Sequence, residues 1–192
     1  MAKDDPRIEA YGTVDELNAV VGAARQTIVD VLAQPAQAAP GADGRGALEA
    51  LGASLLRVQH ELFNLGSLLA TLPADVHERQ PRVTAEDVTR LEREMDASQK
   101  ALAPLRSFVL PGGSRLCVEL HLARTVCRRA ERLVVALARQ GGAAAVSVEY
   151  LNRLGDAFFV WSRAGNRALG REEVLWDPNW AAPGKDPAPG AA

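Results

Sequence analysis

Apolar side chains return every three or four residues along most of this chain. That spacing puts them on one face of a helix and on no one face of a strand. Val14, Leu17, Val21, Ala24, Ile28 and Val31 step by 3, 4, 3, 4 and 3. A second stripe runs Leu48, Leu51, Leu55, Val58, Leu62, Leu65, Leu69, and a third Val88, Leu91, Met95. A fourth runs Leu116, Leu120, Ala123, Cys127, Ala130, Val134, Leu137 and closes at Gly141-Gly142, and a fifth carries Leu151, Leu154, Phe158 and Trp161. Strand-like alternation is weak, and the aromatic content of 5% with abundant alanine and leucine favours helix. The expected fold is all-α, a five-helix bundle.

Local signals set the expected boundaries. Thr13 and Glu16 are spaced as a T-x-x-E capping box, which predicts the first helix start there and puts Asp15 in its opening turn. Thr84 is the expected cap of the third helix, with Asp87 three residues on and Val83 and Val88 as a hydrophobic staple. Residues 33–46, rich in alanine, proline and glycine, read as a mobile linker inside a single domain over 1–176. Residues 177–192 read as a Pro/Gly/Ala-rich tail.

Charge and composition exclude several classes. With 22 basic and 24 acidic residues, the chain lacks the positive surplus of a non-specific nucleic-acid binder. Its apolar runs fall far short of the ~18 residues of a membrane span. Met1-Ala2-Lys3-Asp4-Asp5-Pro6 has no apolar signal region. Two cysteines, Cys117 and Cys127, exclude a disulfide scaffold and fit a reducing cytoplasm, where they read as small core residues.

The fourth helix carries the densest chemistry. Arg124, Arg128, Arg129 and Arg132 fall within one nine-residue stretch, with Glu131 among them. Arg124, Arg128 and Glu131 share a face, and Arg128 and Arg132 are like charges at i,i+4, which repel unless something compensates. Two readings stand open. One is a solvated face with an Arg128–Glu131 surface pair, worth little. The other is a polyanion site, since guanidinium forks match phosphate oxygens bidentately.

Upstream, Phe108-Val109-Leu110-Pro111-Gly112-Gly113-Ser114 breaks the helical pattern and feeds the fourth helix. It fits a plain turn with Ser114 as N-cap, or a backbone that approaches a ligand at a helix N-terminus. In the fifth helix Asn152 and Asp156 share a face, and Arg153 is placed to pair with Asp156. The chain has no G-x-x-x-x-G-K-[ST] loop, no G-x-G-x-x-G fingerprint and no Glu-x-x-His. His60, His77 and His121 are scattered; His121 precedes Arg124 on one face and reads as structural.

Five blocks in order resemble the PduO-type ATP:cob(I)alamin adenosyltransferases, the corrinoid adenosyltransferase family. They are Lys3 to Asn18 (KDDPRIEAYGTVDELN), Leu62 to Ser67 (LFNLGS), Phe108 to Gly113 (FVLPGG), Ala123 to Arg132 (ARTVCRRAER) and Tyr150 to Asp156 (YLNRLGD). The resemblance implies a five-helix bundle that assembles as a homotrimer with active sites between subunits. It implies ATP, magnesium-bound, and a cobalamin as the bound molecules, with the 5′-deoxyadenosyl group passing to cobalt and triphosphate leaving. By the same likeness Arg128, Arg129, Glu131, Arg132 and Asn152 line the nucleotide site, with Lys3 near the phosphates. Asp15 bridges to Arg124 across the interface, and Phe108 stands beneath the corrin and excludes the lower axial ligand of cobalt. A corrinoid reductase and an adenosylcobalamin-dependent mutase or dehydratase are the implied partners.

Cobalt(I) is itself a strong nucleophile, so the protein's work is to align cobalt with the ribose carbon and stabilise charge on the departing triphosphate. The family's opening T-G-D-x-G-x-T segment, which cradles the ATP phosphates, has no counterpart in the residues here. That departure supports a second expectation, a corrinoid-binding or chaperone-like member with weak or no transferase activity.

Overall fold

Asp5, rather than Thr13, starts the first helix. Its carboxylate accepts the Arg7 backbone N–H at 2.8 Å, and Pro6 occupies the first helical position, where its missing N–H costs nothing. Helix α1 then runs unbroken over Pro6–Leu32. The expected capping box at Thr13 and Glu16 is therefore absent: Thr13 is buried in mid-helix, and Asp15 and Glu16 face outward from the middle of α1. Two start signals competed, and the Asp-Pro pair comes first with nothing after it to interrupt the helix.

This computed structural model describes residues 3–35 and 40–180. Helix α2 spans Ala42–Ala70, α3 Ala85–Gln99, α4 Arg115–Arg139 and α5 Ala145–Ala168. A 3-10 turn covers Pro73–Asp75, and two short strands, β1 (Val109–Leu110) and β2 (Val174–Leu175), pair antiparallel. The expected linker over 33–46 is corrected at its end, because α2 has already begun at Ala42. Gly44 explains this: a Cβ there would meet the Ala168 carbonyl oxygen at 2.3 Å, so a glycine lets the start of α2 press against the end of α5. Residues 36–39 of that linker and 181–192 of the tail lie outside the described residues.

The other caps fall where the residues place them. Thr84 and Asp87 form the capping box of α3, with Thr84 N–H donating to Asp87 Oδ2 at 2.8 Å. Ser114 Oγ accepts the Cys117 N–H at 3.1 Å and opens α4. Gly141, at φ +75°, turns the chain out of α4.

Helix α1 packs between α2 and α4, α4 packs along α5, and α2 reaches α5 to close a four-helix ring; α3 lies outside it on α5. The core is the set of apolar stripes, including Leu17, Leu55, Leu62, Leu120, Leu154 and Phe158. Two polar ties are buried with it. Arg7 donates to the carbonyls of Leu69 (2.6 Å) and Thr71 (3.1 Å), securing the start of α1 to the end of α2. Arg57 reaches Glu61 at 2.5 Å and Glu94 at 2.8 Å, and the Tyr150 hydroxyl donates to the other Glu61 oxygen at 2.8 Å, so α2, α3 and α5 share one network. Among the described residues no helix is long and apolar enough to cross a membrane.

Burial and then the Glu61 carboxylate hold the Tyr150 phenol well above the ordinary tyrosine range. The folded state therefore keeps a proton that the unfolded chain loses near pH ~10, so this stability is present below that pH and is lost as pH rises past it. Tyr150→Phe should cost about 1–3 kcal/mol at neutral pH by leaving Glu61 short of a donor. Urea unfolding at stepped pH should also show a shallower alkaline loss than wild type; equal slopes would contradict the assignment.

Candidate active site

Helix α4 carries two faces. Its buried face holds Leu116, Leu120, Ala123, Cys127, Ala130 and Val134, and its outer face holds the arginines. The 3.6-residue period separates the two, so packing of one face fixes the other. Arg128, Arg129 and Arg132 are exposed, while Arg124 and Glu131 are half-buried. The expected Arg128–Glu131 pair is replaced by a bond across helices: Asn152 Nδ2 donates to Glu131 Oε1 at 2.9 Å. Arg128 runs its stem over Gly155 of α5, where a Cβ would sit 3.8 Å from its Cγ. Arg129 turns the other way and pairs with Glu16 of α1. Arg153 pairs with Asp156 at 2.8 Å, as its spacing suggests, and with Glu92 of α3 at 3.2 Å.

The arginine face therefore spreads over two seams, α4–α5 and α1–α4, and stands on the outside of the subunit. A cavity of about 500 Å³ lies elsewhere, between the start of α2 and the end of α5, lined by Pro40, Gly44, Leu102 and Arg167 among others.

Phe108 sits at the head of α4, on the ribbon made by β1 and β2. Trp176 N–H donates to the Phe108 carbonyl at 2.8 Å, and Ser107 Oγ donates to the Trp176 carbonyl at 2.7 Å. The Phe108 and Trp176 rings meet edge to face with centroids 5.9 Å apart, yet Phe108 remains 77% exposed. Such exposure of a large aromatic is a cost that a bound apolar surface removes. The ribbon is anchored on α5: Asn166 Nδ2 donates to the Gly112 carbonyl at 2.9 Å, and Ser114 Oγ bonds Asn166 Oδ1 at 2.6 Å. Arg163 ties the same corner, reaching Glu173 at 2.5 Å and the Ala103 carbonyl at 2.8 Å.

One chain does not bring all the expected site residues together. Phe108 precedes α4, whereas Arg128 lies about 20 Å along its axis from Arg115 at 1.5 Å per residue. Asp15 borders a groove of about 280 Å³ between α1 and α2, with Gly12, Asn18, Phe63 and Gly66. Arg124 lies one turn after His121, whose ring packs on Phe159 and Ser162 of α5, whereas Asp15 borders the α1–α2 groove, and no ion pair joins the two among the described residues. In the groove Asn18 Oδ1 is buried without a partner. Lys3 is exposed, just ahead of α1.

Several contributors escaped the sequence reading. Trp176 and Asn166 act through contacts tens of residues away, which no local spacing encodes. Glu16 read as a capping residue, and its place opposite Arg129 follows from α1–α4 packing. Neither cysteine is a nucleophile candidate: burial raises both thiol pKa values, and Cys127 Sγ lies 3.2 Å from the Leu151 carbonyl.

The fold and the site define a class first: an all-helical bundle with an arginine-faced helix and an exposed aromatic held at its head. The profile of the family described as cobalamin adenosyltransferase matches residues 1–165, and the chain belongs to that family. It is 39% identical over 175 residues to a corrinoid adenosyltransferase of Bacillus subtilis (strain 168), covering 91% of this chain and 82% of that one. It is 38% identical over 176 residues to a cobalamin adenosyltransferase of Cupriavidus metallidurans, covering 92% and 83%. A solved structure of a phenylalanine-to-alanine variant of the PduO-type ATP:corrinoid adenosyltransferase from Lactobacillus reuteri, complexed with cobalamin and ATP, superimposes with a TM-score of 0.77 at 31% identity. That alignment covers 92% of this chain and 88% of the other.

The anchoring of the ribbon rests on Gly113, whose φ of +85° is strained for other residues and whose added Cβ would come 2.5 Å from the Glu172 carbonyl. Gly113→Ala should destabilise the fold by about 1–3 kcal/mol in urea unfolding. It should also raise proteolytic nicking around residues 104–113. A variant as stable and as resistant as wild type would contradict this anchoring.

Proposed function

We propose that the chain transfers the 5′-deoxyadenosyl group of ATP to the cobalt of cob(I)alamin, giving adenosylcobalamin and triphosphate. The observation that carries this is the outward arginine face of α4, braced by Asn152 on Glu131, in a member of the cobalamin adenosyltransferase family. The cobalt(I) lone pair attacks the ribose C5′, the C5′–O bond breaks, and its electron pair leaves on triphosphate. Charge builds on the leaving group, and Arg128 and Arg132 are the groups exposed to meet it, with Lys3 close to the phosphates. Arg129 and Glu131 border the nucleotide, and Asn152 holds Glu131 in place.

An arginine face on an outer surface becomes a cleft when a second surface covers it. We place that surface on another copy of the chain, in a homotrimer: Asp15 from one subunit meets Arg124 of the next, which explains why the two do not meet within one chain. Magnesium would come bound to the phosphates of ATP and offset their charge, and Glu131, half-buried among the arginines of α4, is the carboxylate that would border it. Phe108 lies against the lower face of the corrin and keeps an axial ligand from cobalt, which eases reduction of cobalt(II). An electron donor for cobalt and an acceptor enzyme for adenosylcobalamin complete the proposal. The relatives covered to 82% and 83% of their length bear transferase names, which favours transfer over the alternative of a corrinoid holder with weak activity.

Two substitutions test these roles. Arg128→Ala should lower kcat/KM for ATP by about 100-fold or more, while changing unfolding free energy by under about 0.5 kcal/mol, because the residue is exposed and its guanidinium has no hydrogen-bond or ion-pair partner among the described residues. Matching losses of activity and stability would remove Arg128 from the phosphate site. Phe108→Ala should impair adenosylation that starts from cob(II)alamin more than adenosylation of chemically reduced cob(I)alamin, followed by absorbance. Equal impairment on both routes would refute the axial-ligand role.

A further inference from the structure

A buried polar seam between α4 and α5 has no part in the mechanism above. His121 is 3% exposed, and its ring meets Phe159 edge to face with centroids 6.0 Å apart. Its Nε2 lies 3.2 Å from Ser162 Oγ. Ser162 has one proton to donate, and it donates it to the Phe159 carbonyl at 2.7 Å. The serine oxygen therefore accepts from the ring, and the proton of His121 sits on Nε2. Burial, and then the charge of Arg124, hold His121 below the ordinary histidine range, so the ring is neutral. A neutral ring protonated at Nε2 has a bare lone pair at Nδ1.

That lone pair is buried and meets no donor among the described residues. One turn further along the same face, Arg124 Nε–H is buried and meets no acceptor among the described residues. An unmet acceptor and an unmet donor lie three residues apart on one helix, each stripped of water. They are complementary in hydrogen-bonding character, and their i,i+3 spacing puts the two side chains on one face of α4.

We propose that His121 is a positioning residue for Arg124: its neutral Nδ1 accepts the Arg124 Nε–H and sets the plane of the guanidinium that bridges to the neighbouring subunit. The inference rests on the placement of Arg124 in the active site proposed above. Nε is the guanidinium nitrogen nearest the stem, so a bond there orients the fork and leaves the two terminal nitrogens free for a bidentate carboxylate. Ser162 contributes indirectly, because it selects the tautomer. A ring protonated at Nδ1 would present a second donor and push the fork away. The sequence reading of His121 as a structural histidine is thereby extended: the ring is buried, and its remaining nitrogen has work to do.

Histidine-labelled nitrogen-15 NMR of the full chain with MgATP tests this without requiring turnover. Three histidines give a simple spectrum, and His121→Gln assigns the signal. Wild type should show the Nε2–H tautomer with Nδ1 at a hydrogen-bonded shift, and Arg124→Met should move Nδ1 toward the free lone-pair value. An Nδ1–H tautomer, or an identical Nδ1 signal in both proteins, would overturn the proposal.

Kinetics give a second readout. His121→Gln keeps a donor for Ser162 and loses the acceptor, and should lower kcat/KM about tenfold or more. His121→Asn, whose amide oxygen reaches the Nδ1 position, should recover most of that loss. On an Arg124→Met background His121→Gln should change the rate less than about twofold, since coupled residues do not add. Equal defects in the Asn and Gln variants, or equal losses on both backgrounds, would overturn it. Wild-type turnover reports separately on the transferase reading, so the two failures remain distinct.

Discussion

The structure depends on one constraint: a single rigid helix, α4, must bury an apolar stripe and display guanidinium groups at once. Leu116, Leu120, Cys127 and Val134 lock its inner face against α1 and α5. Because the helix cannot rotate without exposing that stripe, Arg128 and Arg132 point outward as surely as Leu120 points inward. Their mutual repulsion at i,i+4 is a standing cost, and an anionic ligand removes it. The core thus pre-orients the charges, and little reorganisation is left for the moment of reaction.

The flanking helices adjust this display rather than create it. Asn152 of α5 holds Glu131, Gly155 leaves room for the Arg128 stem, and Glu16 of α1 takes Arg129. The ribbon at the head of α4 acts on another part of the problem. Asn166 and Arg163 pin its ends to α5, so Phe108 stays exposed in a fixed place instead of collapsing onto the core. Under the proposed homotrimer, the separation of Phe108 from Arg128 within one chain, and of Asp15 from Arg124, has a common explanation: each site draws on two copies of the chain.

The helices themselves were legible in the sequence because a 3.6-residue stripe is a strong, local, repeated signal, and each of the five stripes became a helix. Ser114 and Thr84 were legible as caps for the same reason: their partners lie three residues away. The start of α1 differs from the reading because Thr13-x-x-Glu16 satisfies the capping-box pattern while an earlier Asp5-Pro6 offers a cap followed by proline at the first helical position, and spacing alone does not rank the two. The start of α2 was misread because Gly44 looked like a linker glycine, whereas it is small to admit the Ala168 carbonyl. The ribbon was invisible, since strands of two residues show no alternation. Among the site residues the arginines, Phe108 and Asn152 drew attention through charge density, turn chemistry and family likeness. Glu16, Trp176 and the Ser162 partner of His121 did not, because their roles arise from contacts between distant segments.

In the proposed site, guanidinium groups of α4 meet a polyphosphate in a cleft shared between copies of the chain. A crystal structure with a non-hydrolysable ATP analogue, magnesium and cob(II)alamin tests that most directly. The expected result is phosphate oxygens within hydrogen-bond distance of Arg128 and Arg132, and the carboxylate of Asp15 from a neighbouring copy on Arg124. A nucleotide bound elsewhere, with those arginines directed into solvent, would contradict it.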